Sequence, residues 1–223
     1  MGVLILYSQL NITTIEKAEL KSWADKKIGF NLTEIKEIIF GSLLGDAKLE
    51  MAPRSVNARF GFIQAEFKKD YFLSVSSSLS AVYSGKYREY SYRDKRTGKI
   101  YKSLSFWSRA LPILTEFYPK FYEGKVKIVP LDLSLLTPVA LAHWVMQDGS
   151  RGTSKGLYIC TDGFTHADVQ RLTLYLIHRY NLNCSIHKAA GNLRIYILAK
   201  SLETVKNLIL PYMHKSMLYK LGV

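Results

Sequence analysis

The order of structural signals along this chain runs through once and then begins again, and that repeat constrains the fold more than any other feature. Asn31 is placed to cap a helix, and Glu34, three residues on, completes a capping box. The helix EIKEIIFGSLLGD should stop near Gly45–Asp46. RFGFIQAEF then alternates as a strand does, and KKDYFLSVSSSLSAVYSG predicts a helix closed by Gly85. KYREYSY and KIYKSLSFW flank the turn DKRTGK, a hairpin signal, before the short helix RALPILTEFY with its early proline. After a connection at 124–134, Thr137 caps a helix with Pro138 at its first position, VALAHWVMQD, ending at Asp148–Gly149. GLYICTD reads as a strand, and Thr165 caps HADVQRLTLYLIHRY with Asp168 at the third position. NCSIHK and LRIYIL flank the turn AAGN, and Ser201 starts a last helix ending at Pro211. Each half reads helix, strands, helix, hairpin, helix. The halves share little identity, so the duplication rests on order and spacing, in two units too long for a solenoid.

Charge narrows the class of partner. Lys plus Arg is 31 against 18 Asp plus Glu, a net +13 in 223 residues, and 48% of the chain is hydrophobic. A folded chain of that balance points to a polyanion, most often nucleic acid, although solubility alone is the generic account. The many tyrosines agree with nucleic acid, and no basic amphipathic helix points to a membrane surface. No apolar run reaches the roughly 18 residues of a membrane span. Val3 to Tyr7 is too short for a signal-peptide core, and the first Lys and Arg are Lys17 and Arg54, unlike a transit peptide. Two cysteines, Cys160 and Cys184, make neither a disulfide framework nor a zinc site alone. The expectation is an intracellular protein without a membrane partner.

The chemistry is carried by Asp46 and Asp148, one at the end of the first helix of each half. Taken singly, such an aspartate is more often a helix-end residue than a ligand. At matching positions in a duplicated chain, the two gain weight. If the helices pack side by side, both carboxylates reach one end of the seam. Gly41 and Gly45, four apart, share a face and permit close approach, with Ala142 as a small surface opposite. Adjacent carboxylates repel unless a proton or a metal lies between them, and hard oxygen ligands suit Mg²⁺. An acidic spot within a basic surface suits metal-assisted phosphodiester hydrolysis.

IFGSLLGDA and TPVALAHWVMQDGS resemble the two motifs of the LAGLIDADG homing endonuclease family in its single-chain, two-repeat form. FIQAEFKKDY and PYMHKSMLYKLG resemble most closely the branch that includes the yeast mitochondrial omega-intron enzyme. His143 stands where the motif has Gly, and Gln147 where the branch often has a second acid. The resemblance implies an α+β fold of two αββαββα repeats about a pseudo-twofold axis, with saddle-shaped antiparallel sheets for DNA. Residues 1–30 would be an N-terminal extension, 31–128 repeat one and 129–223 repeat two. It further implies that Asp46 and Asp148 bind Mg²⁺, with Mn²⁺ or Ca²⁺ able to substitute for binding, helped by the carbonyls of Gly45 and Gln147. Lys127 and Lys220 match the basic residues near each scissile phosphate, and Gln64 matches a polar residue that orients water in repeat one. Asp162 falls near the comparable place in repeat two, where a strand-end turn residue is an equal reading.

On the implied saddle, strand alternation sorts the side chains. Phe60 and Phe62 should face the core, leaving Asn57, Arg59 and Gly61 for DNA. Leu104 and Phe106 look internal, leaving Tyr101, Ser103 and Ser105, with Lys86 and Arg88 on the other limb. In repeat two, Cys184, Ile186, Leu193, Ile195 and Ile197 look internal, leaving Ser185, His187, Arg194 and Tyr196 outward. The loop DKRTGK should touch backbone rather than bases. Two unlike repeats imply a long asymmetric duplex target of roughly 20 base pairs, one helical turn per saddle. The implied activity is a monomeric Mg²⁺-dependent site-specific endonuclease that cuts both strands, leaves 3′ overhangs and promotes intron mobility. Its location would be a mitochondrion or chloroplast if organelle-encoded. The alternatives are an intron RNA maturase, or a non-cleaving nucleic-acid-binding protein on the same scaffold. Both acids are present, which favours cleavage.

Overall fold

The cap signal at Asn31 is used: its side-chain oxygen accepts the Thr33 N–H at 3.1 Å and opens α1 (Leu32–Leu44). This computed structural model describes residues 31–189 and 191–223, so the expected extension over 1–30 lies outside the described residues. Residues 34–223 form one compact unit. In α1 the residues from Ile38 to Leu44 are all buried, as a helix apolar all round requires. After it come β1 (Lys48–Glu50), β2 (Arg59–Ala65), α2 (Lys69–Ser78), β3 (Tyr83–Arg93), β4 (Ile100–Ser108) and α3 (Pro112–Thr115). A short helix α4 (Tyr118–Phe121) and a small hairpin, β5 (Tyr122–Glu123) and β6 (Val126–Lys127), end the first half. The second half runs α5 (Pro138–Asp148), β7 (Gly149–Arg151), β8 (Leu157–Cys160), α6 (His166–Tyr180), β9 (Cys184–Ala189), β10 (Asn192–Ile197) and α7 (Leu202–Ile209).

The two sheets have one topology. Their strand orders are β1-β2-β4-β3 and β7-β8-β10-β9, all pairs antiparallel. The α+β fold of two αββαββα units is therefore present. The edge strands β1 and β7, KLE and GSR, are too short to show alternation, and the sequence reading had no signal for them. The caps fall where expected: Thr137 Oγ1 accepts the Ala140 N–H, and Thr165 Oγ1 accepts the Asp168 N–H.

One boundary differs. Gly85 does not close a helix, because α2 ends at Ser78 and the chain enters β3 at Tyr83. Gly85 has φ +85° at the register shift between Tyr83 and Tyr87, so it serves a β-bulge. The inner sheet faces carry the core. Phe60, Phe62, Leu104 and Phe106 are buried, with Phe62 against Tyr71 and Phe72 of α2 and Phe106 against Phe72, and Leu157, Ile159, Ile195 and Ile197 are buried in the second half. Among the described residues no helix is long and apolar enough to cross a membrane.

Candidate active site at the helix seam

α1 and α5 meet through a missing side chain. A Cβ on Gly41 would lie 2.0 Å from the Ala140 carbonyl oxygen, and one on Gly45 would lie 2.6 Å from Gln147 Oε1. The small residue opposite Gly41 is thus Ala140, not the expected Ala142. Ala140 and Gln147 are seven residues, two turns, apart on one stripe, whereas Ala142 lies roughly 200° around the helix from Ala140. His143 does not obstruct the seam. Its ring is buried, its Nδ1 lies 3.4 Å from the Tyr71 hydroxyl, and burial lowers its pKa to about 4, so it is neutral.

The crossing brings both acids to one place. Asp46 follows the last turn of α1 and is exposed, and Asp148 is the half-buried last residue of α5. Burial, reinforced by the negative charge of Asp46, pushes the Asp148 carboxyl up to about 7. Lys127, Lys220 and Lys68 pull the other way but do not win.

The lysines mirror one another. Lys127 Nζ donates to the carbonyls of Gly45 at 3.0 Å and Ala47 at 2.9 Å. Lys220 Nζ donates to the carbonyl of Gln147 at 2.9 Å. Each ammonium therefore rests on the carbonyl that precedes one of the acids. Desolvation lowers both lysines to about 8, against the opposing pull of the two carboxylates. Lys127 is delivered by β6, and Lys220, only 5% exposed, by the 3₁₀ stretch Lys215–Leu221.

The side chains around the acids are not symmetric. Gln64 Nε2 donates to Asp46 Oδ2 at 2.6 Å. Gln147 Oε1 accepts the Asp46 N–H at 2.8 Å, and its Nε2 donates to Ser42 and to Tyr71 at 3.0 Å each. A neutral amide thus fills the space Gly45 leaves and ties the first acid's backbone to the second helix. Register identifies the counterpart of Gln64. Lys48 and Ser150, each two residues after an acid, pair with Gly61 and Tyr158, so Gln64 corresponds to Thr161. The Thr161 hydroxyl is spent on the Leu193 carbonyl at 2.6 Å, and Asp162 sits exposed in the next turn.

The outer sheet faces hold most of the other expected residues. Lys86, Arg88 and Tyr101 are exposed, and Ser103 is half-buried. Arg59 is exposed but engaged: it pairs with Glu50 at 2.9 Å and lies 4.3 Å from the Trp107 ring centroid. Gly61 is buried beneath that indole, whose nearest atom would be 2.7 Å from a Cβ there. Gly61 thus departs from the expected outward exposure, and two further positions do as well. Ser105 is only 3% exposed, a small side chain in a row between Ile63 and Arg88. Asn57 lies before β2, and its side-chain oxygen accepts from the Thr115 hydroxyl of α3.

On the second sheet, Ser185, His187, Arg194 and Tyr196 are half-buried. His187 is bound on both sides, its Nδ1 3.2 Å from the Tyr158 hydroxyl and its Nε2 2.9 Å from Ser185 Oγ, with the Tyr196 ring 4.8 Å away. The sequence reading missed Tyr158, Trp107, Tyr71 and Lys68. Lys68, in the 3₁₀ turn Glu66–Lys68, acts electrostatically on both Asp148 and Lys220. FIQAEFKKDY was the available signal, but two adjacent lysines do not disclose which one approaches the seam.

A duplicated α/β unit with acids paired at a helix seam defines a class, and comparison places the chain within it. Residues 36–205 match the LAGLIDADG DNA endonuclease family, and the chain belongs to that family. It is 31% identical over 194 residues to the cytochrome b mRNA maturase bI2 of Debaryomyces hansenii, covering 85% of this chain and 74% of that protein. It is 30% identical over 227 residues to bI2 of Saccharomyces cerevisiae, covering 96% of this chain but only 52% of that relative. Among solved structures, the homing endonuclease I-WcaI bound to its DNA recognition sequence superimposes with a TM-score of 0.79 at 25% identity, covering 96% of this chain and 95% of that one.

Proposed function

We propose that the chain is a site-specific endonuclease that hydrolyses both strands of a long asymmetric DNA target, leaves 3′ overhangs and promotes intron mobility. The observation that carries this reading is the pairing of Asp46 and Asp148, from separate repeats, at one seam with a lysine, half-buried Lys127 or buried Lys220, on the carbonyl preceding each. The donor set fits a hard divalent ion: two carboxylates, one pushed up to about 7 by burial and then by its neighbour's charge, with backbone carbonyls of Gly45 and Gln147 adjacent. Mg²⁺ held by Asp46 and Asp148 would supply the charge that activates water and stabilises the departing oxygen, and Mn²⁺ or Ca²⁺ would support binding.

The chain's own groups do the rest. Gln64 fixes the Asp46 carboxylate with its amide nitrogen, leaving its oxygen to accept from a water. Lys127 and Lys220, with pKa values near 8, are cations at neutral pH that hold the phosphate and can give a proton to the leaving oxygen. Residues 31–128 and 129–223 each read one half-site. The outer residues Arg59, Lys86, Arg88, Tyr101, Ser103, Arg194 and Tyr196 supply base and phosphate contacts, each good bidentate pair worth ~1–3 kcal/mol. We place the protein as a monomer in the branch of the omega-intron enzyme, acting in the organelle that carries its intron.

The test is supercoiled DNA carrying an intronless insertion site, incubated with Mg²⁺. Linear product, abolished by Asp46→Asn or Asp148→Asn with binding retained, is expected. Saturable binding without any cut would refute the reading. A second reading, an intron RNA maturase, is favoured by the bI2 relatives. It predicts stimulated splicing of a cognate intron.

A further inference from the structure

The two hairpins that end the sheets are unequal, and the inequality is large enough to show in a footprint. Leu104 pairs with Gln64, and register makes Leu193 its counterpart beside Thr161. Beyond Leu193 the second hairpin has one more rung, Asn192 with Ala189, and then turns. Beyond Leu104 the first hairpin continues through Ser103, Lys102, Tyr101 and Ile100, paired with Tyr90, Ser91, Tyr92 and Arg93. Three extra rungs at about 3.4 Å each extend it by roughly 10 Å, before a six-residue turn at 94–99.

Past the last β2 partner, Ala65 with Ser103, no further strand of the described chain pairs with this ribbon. Tyr92 is 62% and Ile100 65% exposed, although they belong to opposite faces of the pair. Its base is held by ion pairs, Lys102 with Glu66 at 3.5 Å and Lys69 with Glu89 at 3.6 Å. Its tip is basic, with Arg93, Lys95, Arg96 and Lys99 against Asp94 alone. The Asp94 carboxylate is engaged by the Arg96 and Thr97 N–H groups, which lower its pKa and define the turn. Asn192 and Gly191, at the opposite tip, are uncharged.

Building on the nuclease reading, we infer that the ribbon at 91–102 is an arm for the DNA flank on the repeat-one side, making the footprint about three base pairs longer there than on the repeat-two side. A two-stranded ribbon fits the major groove, and the tip charges meet the phosphates beyond it. Tyr92 and Tyr101, stacked with ring centroids 5.5 Å apart, stiffen the ribbon and face the same side as Arg88 and Ser103.

The test is hydroxyl-radical footprinting of the full chain on its selected target in Ca²⁺, with protection counted from the cleavage position on each side. Wild type should protect about three more base pairs on one side. The triple variant Lys95→Ala, Arg96→Ala, Lys99→Ala should lose that surplus and flatten the slope of log affinity against log salt by about 2 to 3. Circular dichroism checks that the variant folds, and the wild-type footprint needs no variant. Specific binding with a symmetric footprint, or a surplus and salt slope unchanged in the variant, would overturn the arm while leaving the nuclease reading intact. Loss of splicing stimulation with an unchanged DNA footprint would assign the ribbon to RNA and also overturn it. Absence of any specific DNA binding by wild type would sink both.

Discussion

Gly41→Ala tests whether close approach of the two first helices is what assembles the site. Two effects oppose each other. Alanine is the better helix former by about 1 kcal/mol in a helix interior. Against this, the added Cβ would lie 2.0 Å from the Ala140 carbonyl oxygen and 2.7 Å from that residue's carbonyl carbon and Cα. An ordinary contact is about 3.4 Å, and the obstacle is backbone, which cannot rotate away, so α1 and α5 must separate by roughly 1 Å. Overpacking of this kind costs about 1–3 kcal/mol, and a clash with backbone belongs at the upper end. The net expectation is about 2 kcal/mol of destabilisation, or roughly 4–8 °C in Tm for a chain of this size. The variant remains folded, because domains hold about 5–15 kcal/mol in reserve. Cleavage should fall far more than stability, by about 100-fold, since a 1 Å misplacement of catalytic groups is that expensive. Melting by calorimetry and cleavage of linear target DNA measure both numbers on one preparation. A Gly41→Ala protein as stable and as active as wild type would refute the close-contact argument.

Gln147→Leu strands the Asp46 N–H and removes the donor to the Ser42 and Tyr71 oxygens, so denaturant unfolding should show a loss of at least about 2 kcal/mol; a neutral result would mean these groups find water. Lys220→Met removes a cation whose burial already lowers its pKa to about 8, so melting should show no large loss while nicking of the strand served by Asp148 falls at least about 100-fold; undiminished nicking would remove the lysine from the chemistry. The Asp148 carboxyl sits near 7 rather than 3.8, so the folded state holds a proton that the unfolded chain has released between those values. Metal-free stability should therefore rise as pH falls from about 7 toward 4. Cleavage should fall over the same range, with a midpoint that moves to lower pH as Mg²⁺ is raised; an activity profile flat from pH 5.5 to 8 would contradict this.

Much of the fold was legible because it depends on local chemistry repeated twice. Thr137 with Pro138, and Thr165 with Asp168, are caps whose geometry follows from residue type. Phe60, Phe62, Leu104 and Phe106 announced their face by alternation. What failed was local signal overridden by pairing. Gly85 looks like a helix stop, yet the chain uses its positive φ in a bulge, because β3 must remain beside β4 past that point. β1 and β7 are held by their partners rather than by propensity, so three-residue segments carried nothing to read.

The seam resisted reading for a different reason: its two halves solve one packing problem with unlike residues. Equivalent positions hold Gly41 and His143 in one pair, Gly45 and Gln147 in the other. Judged against a repeated motif, the histidine and the glutamine look like departures that weaken the contact. In three dimensions the glutamine works because of the glycine across from it, and the histidine because of a tyrosine on another helix. The Gln147 amide occupies the volume a Gly45 Cβ would need, and from there it reaches Asp46, Ser42 and Tyr71 at once. Tyr71, a residue of α2 with no motif around it, turns His143 from an obstruction into a hydrogen-bond partner. The acids are therefore alike in sequence position but unlike in environment: Asp46 is tied through both its amide and its carboxylate, whereas Asp148 has Thr161 where Gln64 would be and a carboxyl that burial pushes up to about 7. Two strands cut at such a seam need not be cut at equal rates. Gln64→Leu, which removes the tie on Asp46 alone, should alter the ratio of nicked to linear product, whereas Thr161→Val should leave that ratio unchanged.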